Sequence, residues 1–242
     1  MTTIDEAVAA IHAKRQEIPC HRSMLVGITG IDGCGKGYLT GRVVAQLQQQ
    51  GLKAVGINVD GWLNLPYKRF NKDNPAEHFY EHAIRFDEMF QQLILPLKEH
   101  RKHSIVADFA EETATEYRKH TYRFEDVDII VLEGIYLLKR AYRHDFDLTF
   151  WVDCTFETAL ERALQRGQEG LPPDETIRAY ETIYFPAQQI HFTMDDPKSA
   201  ADIILSNDSR IGGGTQVGDR VEDFICMPAW KRNQGSDFPR SI

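Results

Sequence analysis

The sequence predicts an α/β fold built on a parallel sheet, and three stretches carry that prediction. In the first, Leu25 to Lys36, an apolar run reaches Thr29, a glycine-rich turn follows, and a helical pattern with Leu39, Val43, Val44 and Leu47 begins at once. The second, Lys53 to Val59, is a β-rich run beyond that helix, so two strands flank one helix in a right-handed parallel unit. The third, Val127 to Leu132, is nearly continuous in apolar residues, as a central parallel strand buried on both faces must be.

The remaining elements follow in chain order. Residues 3 to 17 carry Ile4, Val8 and Ile11 at helical spacing and end at Pro19. A strand over 24 to 29 leads into the glycine turn and a helix to about Gln50, stopped by Gly51. Leu63 to Asn74 has little periodicity and reads as a loop long enough to be functional. Residues 76 to 101 are helical in two pieces, with Phe79, Ile84, Phe90, Leu93, Ile94 and Leu97 as the buried stripe and Pro96 as a kink. His78 and His82 share a face there, but no acid completes a metal site. Ser104 to Phe109 and Glu116 to Phe124 are short strands, and Asp147 to Val152 is another. A helix spans Thr155 to Gln165, Gly167 to Pro173 breaks it, and Asp174 caps a further helix to about His191. Ala200 to Leu205 is the last strand, and Gly212-Gly213-Gly214, Pro228 and Pro239 mark a loosely held tail. The division is thus an N-terminal helix (1–23), a main domain (24–206) and a C-terminal tail (207–242).

Bulk numbers bound the function. The 242 residues, 42% of them hydrophobic, can bury a substantial core. A net charge of −8 repels nucleic acid, so a polyanionic ligand must be met by a local cluster of amides and cations. Cys20, Cys34, Cys154 and Cys226 form no C-x-x-C pair, which argues against structural zinc and a disulfide framework and fits a reducing cytoplasm. The chain shows neither a signal peptide nor a membrane span, and its composition leaves homo-oligomerisation open.

The chemistry concentrates around the glycine turn. Gly30 to Lys36 meets the first seven positions of G-x-x-x-x-G-K-[ST], in which backbone N–H groups and a helix N-terminus hold a polyphosphate. Gly37 stands where Ser or Thr would give its hydroxyl to Mg²⁺. Asp60, directly after the second strand, faces the crevice at the carboxyl ends of the strands; it is a candidate base, with a turn former or N-cap as the alternatives. Glu133 ends the buried third stretch and is either an acid serving the metal or a structural carboxylate. Tyr117, Arg118, His120 and Arg123 either line a polar pocket or decorate a solvated hairpin. Arg162 and Arg166, four apart on one helix face before a glycine break, suit a lid closing on phosphate, or are surface arginines. Cys34, at a helix N-terminus, is expected to carry an acidified thiol if it is more than a small residue.

Taken together, Gly30-Ile31-Asp32-Gly33-Cys34-Gly35-Lys36, Asp60-Gly61-Trp62, Tyr117 through Arg123, Val131-Leu132-Glu133-Gly134-Ile135, Arg162 with Arg166, and Pro186 leading to Lys198-Ser199-Ala200-Ala201-Asp202-Ile203-Ile204 resemble the uridine kinase and phosphoribulokinase group of P-loop kinases. The likeness runs from about residue 24 to 206. It implies a P-loop parallel sheet of about five strands flanked by helices, with a small substrate hairpin and an arginine lid, binding ATP and Mg²⁺. It also implies an ATP-contacting set of Gly30, Ile31, Asp32, Gly33, Cys34, Gly35, Lys36, Gly37 and Tyr38. Asp60 would deprotonate the acceptor hydroxyl, Asp60 and Glu133 would place the metal, and Lys36, Arg162 and Arg166 would neutralise phosphate. Asp60, Trp62, Tyr117, His120, Arg123 and Glu133 would meet a small-molecule acceptor, a nucleoside such as uridine. Two departures matter: Gly37 lacks the hydroxyl, and Trp62-Leu63 replaces the Phe-Tyr of the uridine-binding stretch. The Asp60 to Pro66 string is closer to relatives acting on pantothenate or sugars, and a nucleotide-binding regulator without transfer activity is a further alternative.

Overall fold

Alternating apolar side chains along the first strand point to two different cores, and this two-sidedness organises the chain. The computed structural model describes residues 3–211. Strands β1 (Met24–Gly30), β2 (Ala54–Asn58), β5 (Ile129–Gly134), β6 (Leu148–Asp153) and β7 (Ile203–Ser206) form one parallel sheet in the order β2-β5-β1-β6-β7. Met24, Val26 and Ile28 of β1 pack with α1 (Ile4–Glu17) and α2 (Lys36–Gln49), while Leu25 packs on the other face with Phe86, Phe90 and Leu93. Both β1 and β5 are buried along their whole length, the consequence of helices on both faces. α1 begins with a capping box: the Thr3 hydroxyl accepts from the Glu6 amide and the Glu6 carboxylate from the Thr3 amide.

Between β2 and β5 the chain builds the acceptor side of the molecule. A 3₁₀ turn, Val59–Gly61, leads to a short helix α3 (Pro66–Arg69), then α4 (Pro75–His82), α5 (Phe86–Met89), α6 (Leu95–His100) and an antiparallel hairpin of β3 (His103–Phe109) and β4 (Arg118–Phe124). α3 lies inside the stretch expected to be loop; proline at its first position presets the helical φ that the lack of periodicity concealed.

After β6 come α7 (Phe156–Arg166), α8 (Pro173–Ala179), α9 (Phe185–Asp195) and α10 (Pro197–Ala200). The cap of α8 is Pro172, so Asp174 lies in the first turn rather than at the cap, and the helix it opens runs on through α9 to Asp195. Two π-helical turns, Phe90–Ile94 and Tyr180–Tyr184, precede Pro96 and Pro186. A proline ring crowds the carbonyl four residues back and offers it no N–H, so the helix widens instead of breaking. Residues 207 to 211 of the expected tail close on the sheet, the Asn207 amide donating to Asp153 at 3.0 Å. Gly212 to Gly214, Cys226, Pro228 and Pro239 lie outside the described residues.

Candidate active site

The glycine turn joins β1 to α2 with Gly33 and Gly35 at φ +77° and +88°. At Gly35 a Cβ would meet the Asn207 amide as well as forcing an L residue into the left-handed region. Asn207 Nδ2 and Arg162 Nη1 both donate to the Cys34 carbonyl, at 2.8 and 3.1 Å, so strand β7's end and helix α7 fix the turn from one side. No side chain caps α2, whose positive N-terminal end lies at the glycine turn, where an anion is stabilised. Lys36 is 8% exposed; its Nζ donates to the Ile31 carbonyl at 3.5 Å and lies 3.9 Å from Asp32. Burial opposes its charge, but Asp32, Glu133 and Asp60 around it raise its pKa. The Cys34 thiol is buried rather than facing the ligand, and burial pushes it up, so the expected acidification does not occur.

Two carboxylates act electrostatically on Lys36 from the ends of neighbouring strands. Asp60 sits in the 3₁₀ turn after β2, its amide bonded to Asn58 Oδ1 at 2.6 Å, and Glu133 lies near the end of β5, where it pairs in register with Asn58. Glu133 is 5% exposed, and burial followed by Asp60 and Asp32 pushes its carboxyl up to about 7 against the pull of Lys36. Burial and Asp32 raise Asp60 in the same way, with Lys36 and Arg166 opposing. A buried acid and a half-buried one that repel each other beside one lysine suit a divalent cation. A Cβ at Gly37 would stand 3.7 Å from Glu133 Oε2, so the position lacking a hydroxyl faces that acid. Among the described residues no group of three or more His, Cys, Asp or Glu forms a cage of its own, as expected where phosphate oxygens and waters complete the coordination.

The hairpin closes the acceptor side. A Cβ at Gly61 would lie 2.8 Å from Phe109 and 3.0 Å from the Tyr122 hydroxyl, so glycine beside Asp60 lets the hairpin dock on this turn. Trp62 is fully buried and stacked 5.7 Å from Tyr122, and His120 lies edge-on to Tyr122 at 4.5 Å. Burial, with Arg118, lowers the His120 pKa. Tyr117 precedes β4, donates to Asn64 Oδ1 at 3.2 Å and covers the Arg85 guanidinium at 4.7 Å. Arg123 projects to solvent, 75% exposed, with Glu125 at 3.9 Å, so the structure does not bring it to this cluster.

On the opposite side, Arg166 lies 3.8 Å from Asp32 and 3.0 Å from Glu169, while the Tyr180 hydroxyl donates to Glu169 and is within 3.1 Å of Asp32. Burial works against the Arg166 charge, but Asp32, Tyr180 and Glu169 raise its pKa. The carboxylate of Asp32 is lowered despite burial, by Arg166 and Lys36. Gly167 ends α7 in the left-handed region and the break folds back, burying the Glu169 side chain. Sequence reasoning missed Arg69, Arg85, Glu112, Glu169, Tyr180 and Asn207. Asn207 alone carried a signal, its place at the carboxyl end of a strand.

A parallel sheet in this order, with a glycine turn and lysine at the head of α2, defines a P-loop kinase architecture. The model of the Phosphoribulokinase / Uridine kinase family matches residues 25–196, and the chain belongs to that family. It is 28% identical over 203 residues to a uridine kinase of Limosilactobacillus reuteri, covering 81% of this chain and 87% of the relative. It is 27% identical over 201 residues to one of Staphylococcus aureus, covering 80% and 90%. Among solved structures, one described as a possible uridine kinase from Bacillus stearothermophilus superposes at TM-score 0.67 and 22% identity, covering 84% of this chain and 96% of that one. D-glycerate 3-kinase from Cryptococcus neoformans superposes at 0.62 and 12%, covering 90% and 98%. The fold is therefore shared with kinases of differently named acceptors.

Proposed function

We propose that the protein is a cytoplasmic, ATP-dependent phosphotransferase acting on a hydroxyl of a small molecule, with Asp60 as the base. The observation that carries this reading is the electrostatic coupling of buried Lys36 and Glu133 with half-buried Asp60 beside an uncapped helix N-terminus. Bound MgATP supplies the transferable phosphoryl group and charge neutralisation by the metal. The chain's own residues do the rest. α2 amides and Lys36 hold the phosphates, and Arg162 braces the loop through the Cys34 carbonyl. Arg166, 40% exposed and paired with Glu169, would swing onto phosphate on release from that carboxylate. Glu133 and Asp60 would hold the metal, directly or through water. A raised Asp60 pKa, caused by burial, makes it a stronger base toward an alcohol once a substrate is seated. Tyr117 and His120 would face the acceptor, with the fully buried Trp62 backing that wall through its stack on Tyr122.

The names of the relatives make uridine the first acceptor to try, and the Trp62-Leu63 departure makes pantothenate and simple sugars the next. The test is acceptor-dependent ADP release across uridine, cytidine, pantothenate and sugars. Release above the ATP-only rate with one of them supports the reading. Gly37 favours a second reading, a nucleotide-holding regulator. Metal-independent ATP binding by calorimetry, with no turnover on any alcohol, would decide for it.

A further inference from the structure

The exit of β5 carries a conformation that its side chains do not favour. Tyr136, three residues beyond Glu133, lies at φ +61°, in the left-handed region where a Cβ crowds the backbone. Among the described residues three other non-glycine positions share that region, each for a local reason. Arg101 and Asp196 follow the ends of α6 and α9, and Asp126 has the short side chain that tolerates it. Tyr136 is bulky and ends no helix, so the fold around it imposes the conformation.

The imposing contacts come from two helices. The Tyr136 ring is 1% exposed and meets Tyr80 of α4 edge to face at 5.4 Å and His191 of α9 at 5.3 Å, with the Lys139 ammonium 5.4 Å away. Asp195 ties this clamp together: it accepts from the Tyr80 hydroxyl and the Arg140 amide and pairs with His191 Nδ1 at 2.7 Å. The Lys139 amide donates back to the Tyr136 carbonyl at 3.1 Å. The Tyr136 hydroxyl is buried with no partner, so the ring and not the oxygen makes these contacts.

The other end of this junction is the turn that carries Asp60. A Cβ at Gly134, the last residue of β5, would overlap the side chain of Val59, which is fully buried and directly precedes Asp60. Asn58, whose Oδ1 accepts from the Asp60 amide, pairs in register with Glu133. Glu133 and Asp60 therefore share one mounting, and its free end is the Ile135-Tyr136 turn. A strand end relaxed at residue 136 would draw Gly134 off Val59 and shift both carboxylates.

We propose that Tyr136 is a positioning residue: its ring, clamped between α4 and α9, holds the end of β5 against Val59 and so sets the spacing at which Glu133 and Asp60 meet the metal of MgATP. The inference rests on the kinase reading and adds to it a residue that touches neither nucleotide nor acceptor.

The experiment compares wild type with Tyr136→Ala and Tyr136→Phe. Ile11→Ala, a cavity in the α1 core on the opposite face of the sheet, controls for lost stability. Hydrogen exchange is followed on the ligand-free proteins, ATP binding by calorimetry over a Mg²⁺ series and without metal, and ADP release with the acceptor screen, all below each unfolding midpoint. Tyr136→Ala is expected to speed exchange at residues 57–62 and 129–136 more than in the rest of the sheet. It should also raise the Mg²⁺ midpoint about ten-fold while metal-free ATP affinity stays within about two-fold. Tyr136→Phe and Ile11→Ala should show neither the Mg²⁺ shift nor the local excess of exchange. An unchanged Mg²⁺ midpoint in Tyr136→Ala, or no local excess at 57–62, would overturn the inference and leave the kinase reading standing. An equal shift in Ile11→Ala would also overturn it, by making lost stability the cause, and an equal shift in Tyr136→Phe would take the role from the ring. The expected shifts in Tyr136→Ala, with no acceptor-dependent ADP release by wild type, would uphold the positioning and count against the kinase reading. ATP binding by wild type that needs no Mg²⁺ would count against both. Should Tyr136→Ala fail to fold, Tyr136→Leu decides, and a wild-type Mg²⁺ midpoint there overturns the inference.

Discussion

Restoring a hydroxyl at residue 37 tests how the site manages its metal. A Cβ there meets nothing closer than Glu133 Oε2 at 3.7 Å, ordinary van der Waals contact, and the residue is exposed, so Gly37→Ser requires no repacking. Replacing glycine in the first turn of α2 raises helix stability by about 0.5 kcal/mol, which moves the melting temperature of a chain this size by roughly 1–2 °C. The new oxygen stands on the side of the Glu133 carboxylate and adds one donor to a site otherwise completed by phosphate and water. A gain of roughly 1 kcal/mol corresponds to about five-fold in metal affinity. ATP titrations at a series of Mg²⁺ concentrations should therefore show the midpoint falling about five-fold, with metal-free ATP affinity unchanged. An identical Mg²⁺ dependence in wild type and variant would refute the placement of the metal between residue 37 and Glu133.

Two further perturbations address the loop and the scaffold. Gly35→Ala forces alanine to φ +88° at about 1–2 kcal/mol and displaces the Asn207 amide from the Cys34 carbonyl at about 1 kcal/mol more. Calorimetry should show ATP binding weakened at least about ten-fold, and unchanged affinity would mean that the loop is not held this way. Asp195 accepts from Tyr80, His191 and the Arg140 amide, and although burial opposes this, those bonds lower its pKa from 3.8 to about 2. A depressed carboxylate contributes stability above its unfolded pKa and loses it as pH falls through the folded value. Asp195→Asn should thus cost about 2 kcal/mol in urea unfolding at pH 7 and much less near pH 2; a pH-independent cost would show that the charge is not the cause.

The sheet was legible because its strands are apolar runs at the right intervals, and β1 and β5, buried on both faces, are the least ambiguous. Lys36, Asp60 and Glu133 were legible because each sits at a strand's carboxyl end or a helix start, where chain direction alone aims a side chain at the crevice. Arg123 was not, because alternation along β4 decides which face a residue takes, and the docking of Tyr122 against Gly61 sends its neighbour outward. Pro96 announced a kink but not its π form, and Pro186 lay inside a helix read as unbroken; the π form depends on packing that keeps each helix continuous. Arg69 lay unmarked inside the stretch Leu63 to Asn74 that read as loop. Its burial is a tertiary fact, created by a three-dimensional meeting of α3 with Glu112 and Tyr184 across 43 and 115 residues of sequence.

Asp60→Asn compares the chemistry with the binding in a single pair of assays. The substitution keeps the shape of the side chain and removes its capacity to take a proton. With an acceptor found by the ADP-release screen, kcat/KM should fall by roughly 10²–10⁴ while ATP affinity stays within about two-fold of wild type. Turnover equal to wild type on that acceptor would contradict the assignment of Asp60 as the base.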